Sequence, residues 1–484
     1  MRAFCLFLLA CAAGAGAERP NVIFLEPVGT LNTASAEIRE TMPLYRRVAD
    51  PSKYAAWLDN ESAGRALRLF AQAATIATPA AALPDYYVAL VKGGNHAAVG
   101  FRLETASGTQ EFPRTAYILL DAEPELFRTT MFHETGHVAM DMLAGGRRLD
   151  GVETASIPHS TAALSDRTTA FSEGYAIHLE TLAAHMARDP ELRRHYGHEA
   201  VAFGEAPYRH SEYYRGASDL TTFSQDLARY FEVRENYFAF DSAFRGPDYL
   251  RVQLEKARDF SVLRDANQLL QSEGFYASFF FLFSMRGERL PSEETVAARE
   301  ERMLRAMAAM FTAVHTDLST PWLLELVTQY MRLFPDEREV VVDALNDLSH
   351  GVFVDPAAAA VWHEHYLASL RLDLEHLDRD AINARRRRWR DQVLADPRIL
   401  FSRLGPEIPC TVPAVTVRLV VFGEDAPLRF DLNTVQEGIL RLVPGATDAG
   451  VGRFVSERAR LPFTAVEDYR RRASIGKPAA CGGV

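Results

Sequence analysis

Two histidines four residues apart, with a glutamate directly after the first, stand in Phe132-His133-Glu134-Thr135-Gly136-His137. On a helix, positions i and i+4 share a face, so His133 and His137 can offer both imidazoles to one ion. Glu134 sits beside them and can reach a water on that ion as general base. A zinc ion used this way needs a third protein ligand and leaves its fourth position to water. No histidine occurs from Val138 to Arg147, so the third ligand must come from elsewhere. A carboxylate from a second helix fits, and Phe171-Ser172-Glu173-Gly174-Tyr175-Ala176 supplies Glu173 on a predicted helix 36 residues after His137. Glu273, in Ser272-Glu273-Gly274, is the rival at a much longer separation.

These side chains need a strand and helices to hold them. A strand at Tyr117 to Leu120 runs into Asp121-Ala122-Glu123-Pro124, and a helix with acidic residues in its first turn begins there. Before it, Asn21 to Leu25 reads as a short strand and Gly64 to Ile76 as an amphipathic helix. Tyr86 to Val91, Ala97 to Leu103 and Thr115 to Leu120 read as antiparallel strands. From Pro124 to about residue 400 the pattern is helical, and Phe275 to Met285 fits a buried helix. Ala144 to Thr169, rich in Gly, Ser, Thr and Arg, is expected to be a mobile loop beside the cleft. Thr411 to Phe422 alternates as a strand before a short helical tail. The fold class expected is α+β: a small antiparallel sheet with the metal-site helices, a large mostly α-helical region and a small C-terminal domain.

The H-E-x-x-H segment followed by Glu-Gly-x-Ala resembles the gluzincin superfamily of zinc peptidases, over about residues 85 to 285. The resemblance implies His133, His137 and Glu173 as ligands of Zn2+, Glu134 as base, and small residues that let two helices approach. Aminopeptidase-type members carry a Gly-x-Met-Glu-Asn strand for the substrate amine, and Gly93-Gly94-Asn95-His96 has no such acid. They also carry a Tyr-x-x-Gly helix whose phenol stabilises the tetrahedral intermediate. Here Gln271 stands where that tyrosine belongs, which makes Tyr276 the candidate donor, with Tyr213, Tyr214 and Tyr237 as alternatives. Losing such a donor costs roughly two to three decades in rate.

Composition sets the class and the compartment. The 484 residues are 48% hydrophobic and 24% charged with a net charge of −11, an ordinary globular balance that excludes a disordered or disulfide-dense chain. So acidic a chain is not, as a whole, a nucleic-acid or anionic-membrane binder. Arg2, the apolar run Ala3 to Ala13 and Ala15-Gly16-Ala17 have the plan of a secretory signal peptide, implying a periplasmic or secreted protein. Leu8-Leu9-Ala10-Cys11 offers the alternative of a lipid anchor at Cys11. Two of the four cysteines lie in that leader, and Cys410 and Cys481 remain as a plausible disulfide. Arg385 to Arg388 with Arg390 reads as a solvated, salt-bridged face, and His363 and His365 point apart on a helix.

The tail has its own pattern. Asn433 and Thr434 are cap candidates for a helix opening at Asp431, Val443-Pro444-Gly445 makes a tight turn, and Val451, Phe454, Val455 and Arg458 suit a second helix. This order resembles the competence-type helix-hairpin-helix domain of DNA receptors and secretion-system components. In that family hairpin glycines bring backbone N–H groups to a phosphate; here Thr447 replaces the second glycine and Asp448 follows with a repulsive charge. Residues 430 to 484 hold eight cations against six acids. The expectation is a protein partner at the C-terminal domain rather than nucleic acid, and a tail whose removal leaves zinc occupancy unchanged.

The domains expected are 1–17 signal peptide, 18–125 N-terminal α/β part of the zincin domain, 126–285 zinc-site helices, 286–400 helical domain, 401–428 strand linker and 429–484 helix-hairpin-helix domain. The function expected is exported, zinc-dependent hydrolysis of a peptide or protein substrate. The alternatives are a non-catalytic gluzincin-like scaffold of the envelope, or a DNA-handling factor acting through the tail.

Overall fold

The computed structural model describes residues 19–29, 42–128, 130–145, 166–188, 264–285, 292–314, 320–357, 361, 378–410, 428–475 and 481. The leader with Cys11, the tyrosines at 213, 214 and 237, His363, His365 and the strand expected at 411–422 lie outside them.

Over the described residues the protein is α+β, with a small main sheet, a separate two-stranded sheet and many helices. Strand β1 (Val22–Pro27) runs antiparallel to β2 (Leu44–Arg47) and parallel to β3 (Tyr86–Leu90). β3 runs parallel to β5 (Gly108–Leu120), which forms a long antiparallel hairpin with β4 (Asn95–Thr105). β4 meets β2 in parallel over Arg102 to Glu104, which closes the ring of pairings. The sheet is therefore mixed, not antiparallel as expected. The reason lies in β3, where Tyr86, Tyr87, Val88 and Ala89 are all buried, as in a strand covered on both faces and flanked by parallel neighbours. Alternation sorts the side chains. Leu25, Tyr45, Tyr87, Phe101, Tyr117 and Leu119 form an inner cluster, while Phe24, Tyr86, Val88, Ile118 and Leu120 join the helical core.

Helix α1 (Glu61–Ala77) starts at Asn60, whose side chain accepts the Ala63 N–H at 2.9 Å, and it packs on α2 (Thr130–Leu143). α3 (Arg167–Met186) lies on α2, so Arg167 to Thr169 are helix and not loop; residues 146–165 lie outside the description. A short helix α4 (Ala266–Leu269) leads into α5 (Glu273–Met285), which is buried on every side, as its continuous apolar run requires. Helices α6 (Glu293–Ala313), α7 (Trp322–Leu333), α8 (Arg338–Ser349) and α9 (Arg379–Ala395) continue the core. On α9, Arg390 lies near Glu339 and Asp343 of α8 and near Asp391.

The C-terminal segment pairs β6 (Glu407–Cys410) antiparallel with β7 (Leu428–Asp431), and Cys410 is disulfide-bonded to Cys481. Asp431 to Thr434 form a turn, and the first helix, α10 (Glu437–Arg441), begins later than the cap residues suggested. The Asp431 carboxylate accepts the Asn433 and Thr434 N–H groups at 2.8 and 2.9 Å, which closes that turn instead of opening a helix. Gly445 takes φ 83° in the expected tight turn. Thr447 caps α11 (Asp448–Arg460) by accepting the Gly450 N–H at 3.1 Å, and α12 (Val466–Ala473) follows.

Two helical glycines predict opposite outcomes. A Cβ on Gly174 would lie 2.4 Å from Tyr276 Cβ and 2.5 Å from the Glu273 carbonyl oxygen, whereas one on Gly64 would meet nothing within 4 Å. Gly174→Ala is expected to lower stability by about 1–3 kcal/mol through overpacking. Gly64→Ala should raise it by about 0.5–1 kcal/mol through helix propensity. Paired denaturant titrations check both.

Candidate metal centre

Helix α2 is held with one face toward the sheet. The Tyr86 phenol on β3 donates to Thr135 Oγ1 at 2.6 Å, and Thr135 in turn donates to the Met131 carbonyl at 2.6 Å. Phe132, Val138, Ala139 and Met140 are buried in the core. Because Thr135 points inward, His133 and His137 fall on a face that stays 15–16% exposed.

Helix α3 brings the third group. A Cβ on Gly136 would lie 2.8 Å from Leu179 Cδ1 and 3.4 Å from Ala176 Cα, so the two helices touch where α2 has no side chain and α3 carries alanine. That contact sets Glu173 against the histidines. His133 Nε2 and His137 Nε2 are 3.3 Å apart, and each lies 3.5 Å from Glu173 Oε2. A tetrahedral ion with bonds of about 2.0–2.2 Å holds its donors about 3.3–3.6 Å apart. The triangle has that size, so the three residues can hold a metal ion.

Each imidazole has a second contact, also from α3. His137 Nδ1 lies 3.0 Å from Ser172 Oγ, and His133 Nδ1 lies 2.9 Å from Glu180 Oε1 in an electrostatic contact off the hydrogen-bond axis. Partners at Nδ1 favour the tautomer that leaves Nε2 free to ligate. Glu173 and Glu180 share one helical face, since seven residues make almost two turns. Spacing alone gave no pointer to Ser172 or Glu180.

The charges reinforce one another. Burial pushes the Glu173 carboxyl up, but the two imidazoles outweigh it and hold the group well below its ordinary range. Burial opposes a charge on His133, yet Glu180, Glu173 and Glu134 together raise it well above the usual histidine value. Glu134 is 4% exposed, and burial raises its pKa against the pull of both imidazoles. Asp141, one turn beyond His137, is raised by burial to about 6.

The other candidates fall elsewhere. Glu273 is buried at the start of α5 and does not belong to the cluster. Tyr276 is fully buried, and its hydroxyl donates to the Leu270 carbonyl at 3.1 Å, so serving as an oxyanion donor would require breaking that bond.

No protein-family model matches the chain, and no curated protein or solved structure is similar to it. The geometry therefore stands by itself.

Ligand and supporting roles separate in a mutation series. Glu173→Ala is expected to weaken divalent-metal affinity by well over tenfold. Glu180→Gln should weaken it about tenfold through the orientation of His133, and Glu273→Gln should leave it within about twofold. Competition against a chromophoric chelator measures all three. An effect from Glu273→Gln larger than that from Glu173→Ala would move the third ligand to α5.

Proposed function

We propose that the protein is an exported zinc-dependent hydrolase of peptide bonds, of the gluzincin type that its motifs resemble. The observation that carries this reading is the His133–His137–Glu173 triangle with the buried carboxylate of Glu134 beside it. Two imidazoles and one carboxylate suit zinc among the common biological cations, and three protein ligands leave one coordination position for chemistry.

When bound, zinc would supply a water acidified toward neutrality and a Lewis-acid contact for the scissile carbonyl. Glu134 would take a proton from that water and pass it to the leaving amine. Its burial supports the role, because a carboxyl raised above its usual range is a better proton acceptor. Ser172 and Glu180 hold the ligand imidazoles in position during these steps. An extended substrate is supported by β4, which packs on α2. Among the described residues, the ladder pairings of Ala97 to Val99 are with β5, and those of β4 with β2 begin at Arg102. Backbone groups along such an edge can recruit a peptide as an added strand.

Export is supported by the leader pattern and by the Cys410–Cys481 disulfide, a bond that persists in oxidising compartments. No described helix is long and apolar enough to cross a membrane. The DNA-handling alternative has less behind it. In the tail Arg441 pairs with Glu437 and Asp448, Arg460 with Glu457, Arg471 with Asp468, and Arg472 with both Glu457 and Asp468.

Two experiments test this reading. Glu134→Gln should retain zinc and lose casein hydrolysis by about 10²–10⁴-fold; full activity in that variant would refute the mechanism, and cleavage by neither form would favour the scaffold reading. For the tail, the full-length protein is expected to leave duplex DNA unshifted at low-micromolar concentration near physiological salt, where non-specific binders begin to associate. A clear gel shift there would restore the nucleic-acid reading.

A further inference from the structure

The C-terminal segment meets the metal-site helices along a buried polar seam. The Asp431 N–H donates to Asp265 Oδ2 at 2.9 Å, and the Ala266 N–H donates to Thr434 Oγ1 at 3.1 Å. Gln268 Nε2 donates to the Arg429 carbonyl at 2.8 Å, and Glu407 on β6 lies 3.7 Å from the Arg167 guanidinium. Asp265, Gln268, Asp431 and Thr434 are each 1% exposed or less. Buried polar contacts of this kind are unforgiving, because a donor that loses its acceptor has no water to turn to. An apolar cluster runs beside the seam and joins Leu182 of α3, Phe281 and Met285 of α5 and Val296 of α6 with Phe430, Val435 and Ile439.

The seam grips the elements that place Glu173. Arg167, the first residue of α3, donates from Nε to Asn267 Oδ1 at 2.8 Å, which ties α3 to α4 six residues before the carboxylate ligand. α4 leads directly into α5, whose Glu273 carbonyl and Tyr276 side chain abut Gly174, the residue next to Glu173. From Thr434 to Glu173 the path runs through Ala266, Asn267 and Arg167 along one edge, and through the start of α5 along the other.

The geometry points to the C-terminal segment as a positioning element of the metal centre, with Thr434 and Gln268 fixing α4 so that α3 presents Glu173 to the two histidines. This reverses the expectation that the tail is separable from the site. It rests on the metal-centre reading above, and within the segment the Cys410–Cys481 bond ties β6 to the residues after α12.

The test uses the full-length chain. Thr434→Val keeps the shape and removes the acceptor of the Ala266 N–H, Thr434→Ser restores it, and Gln268→Ala cuts the contact to Arg429 together with the Asp265 N–H bond to Gln268 Oε1 that caps α4. Two readouts are taken: zinc affinity by chelator competition, and amide hydrogen exchange over α3 around Phe171 to Ala176. Thr434→Val and Gln268→Ala should each weaken zinc binding about tenfold and speed exchange in α3, and Thr434→Ser should match wild type in both. Zinc affinity and α3 exchange unchanged in both variants, even with a lowered melting temperature, would overturn the positioning role. If the wild type takes up no zinc while α3 exchange still follows Thr434, the positioning role stands and the metal reading fails.

Discussion

Three donor atoms from two helices meet within 3.5 Å of one another, and the rest of the molecule is arranged around that demand. Helix backbones normally stand 8–10 Å apart across their side chains, and a carboxylate on one can reach imidazoles on the other only where the intervening side chains are small. Gly136 and Ala176 provide that gap between α2 and α3. Gly174 provides a second gap, against α5, on the opposite side of the ligand. Glu173 is thus fixed from both sides by residues chosen for what they lack.

Around the cluster, rigidity comes from different sources on different helices. α2 is fixed by the core and by the Tyr86–Thr135 hydrogen bond to the sheet. α3 is fixed by its contact with α2, by α5, and through Arg167 by the turn that carries α4. The polar seam to the C-terminal segment lies behind that turn, remote from the ligands in sequence and adjacent to their supports in space. A divalent ion needs its ligands placed to a few tenths of an ångström, so elements distant in sequence can set its affinity.

The site was more legible in the sequence than the fold that carries it. His133, Glu134 and His137 announce themselves because helical geometry alone brings i and i+4 together. Glu173 was legible through the Glu-Gly-x-Ala pattern, whose resemblance to the gluzincin type implies a carboxylate beside small residues at a close helix contact. Ser172 and Glu180 were not, since a serine or glutamate on a helix face carries no mark of its partner across a helix–helix contact. The strands at Tyr86, Ala97 and Thr115 were found, but their order was not: local alternation says that a strand exists, while the placement of β3 between β1 and β5 is a long-range choice. Likewise Asn433 and Thr434 have the chemistry of helix caps, and tertiary contacts recruit them into a turn and a seam instead.

The account stands or falls on one ion in one place. Anomalous diffraction at the zinc edge, on crystals of protein purified without added metal, asks the question directly. The account predicts one peak per chain, within bonding distance of His133 Nε2, His137 Nε2 and Glu173 Oε2 together. A fully ordered cluster with no peak, or a peak bound by other residues, would contradict it.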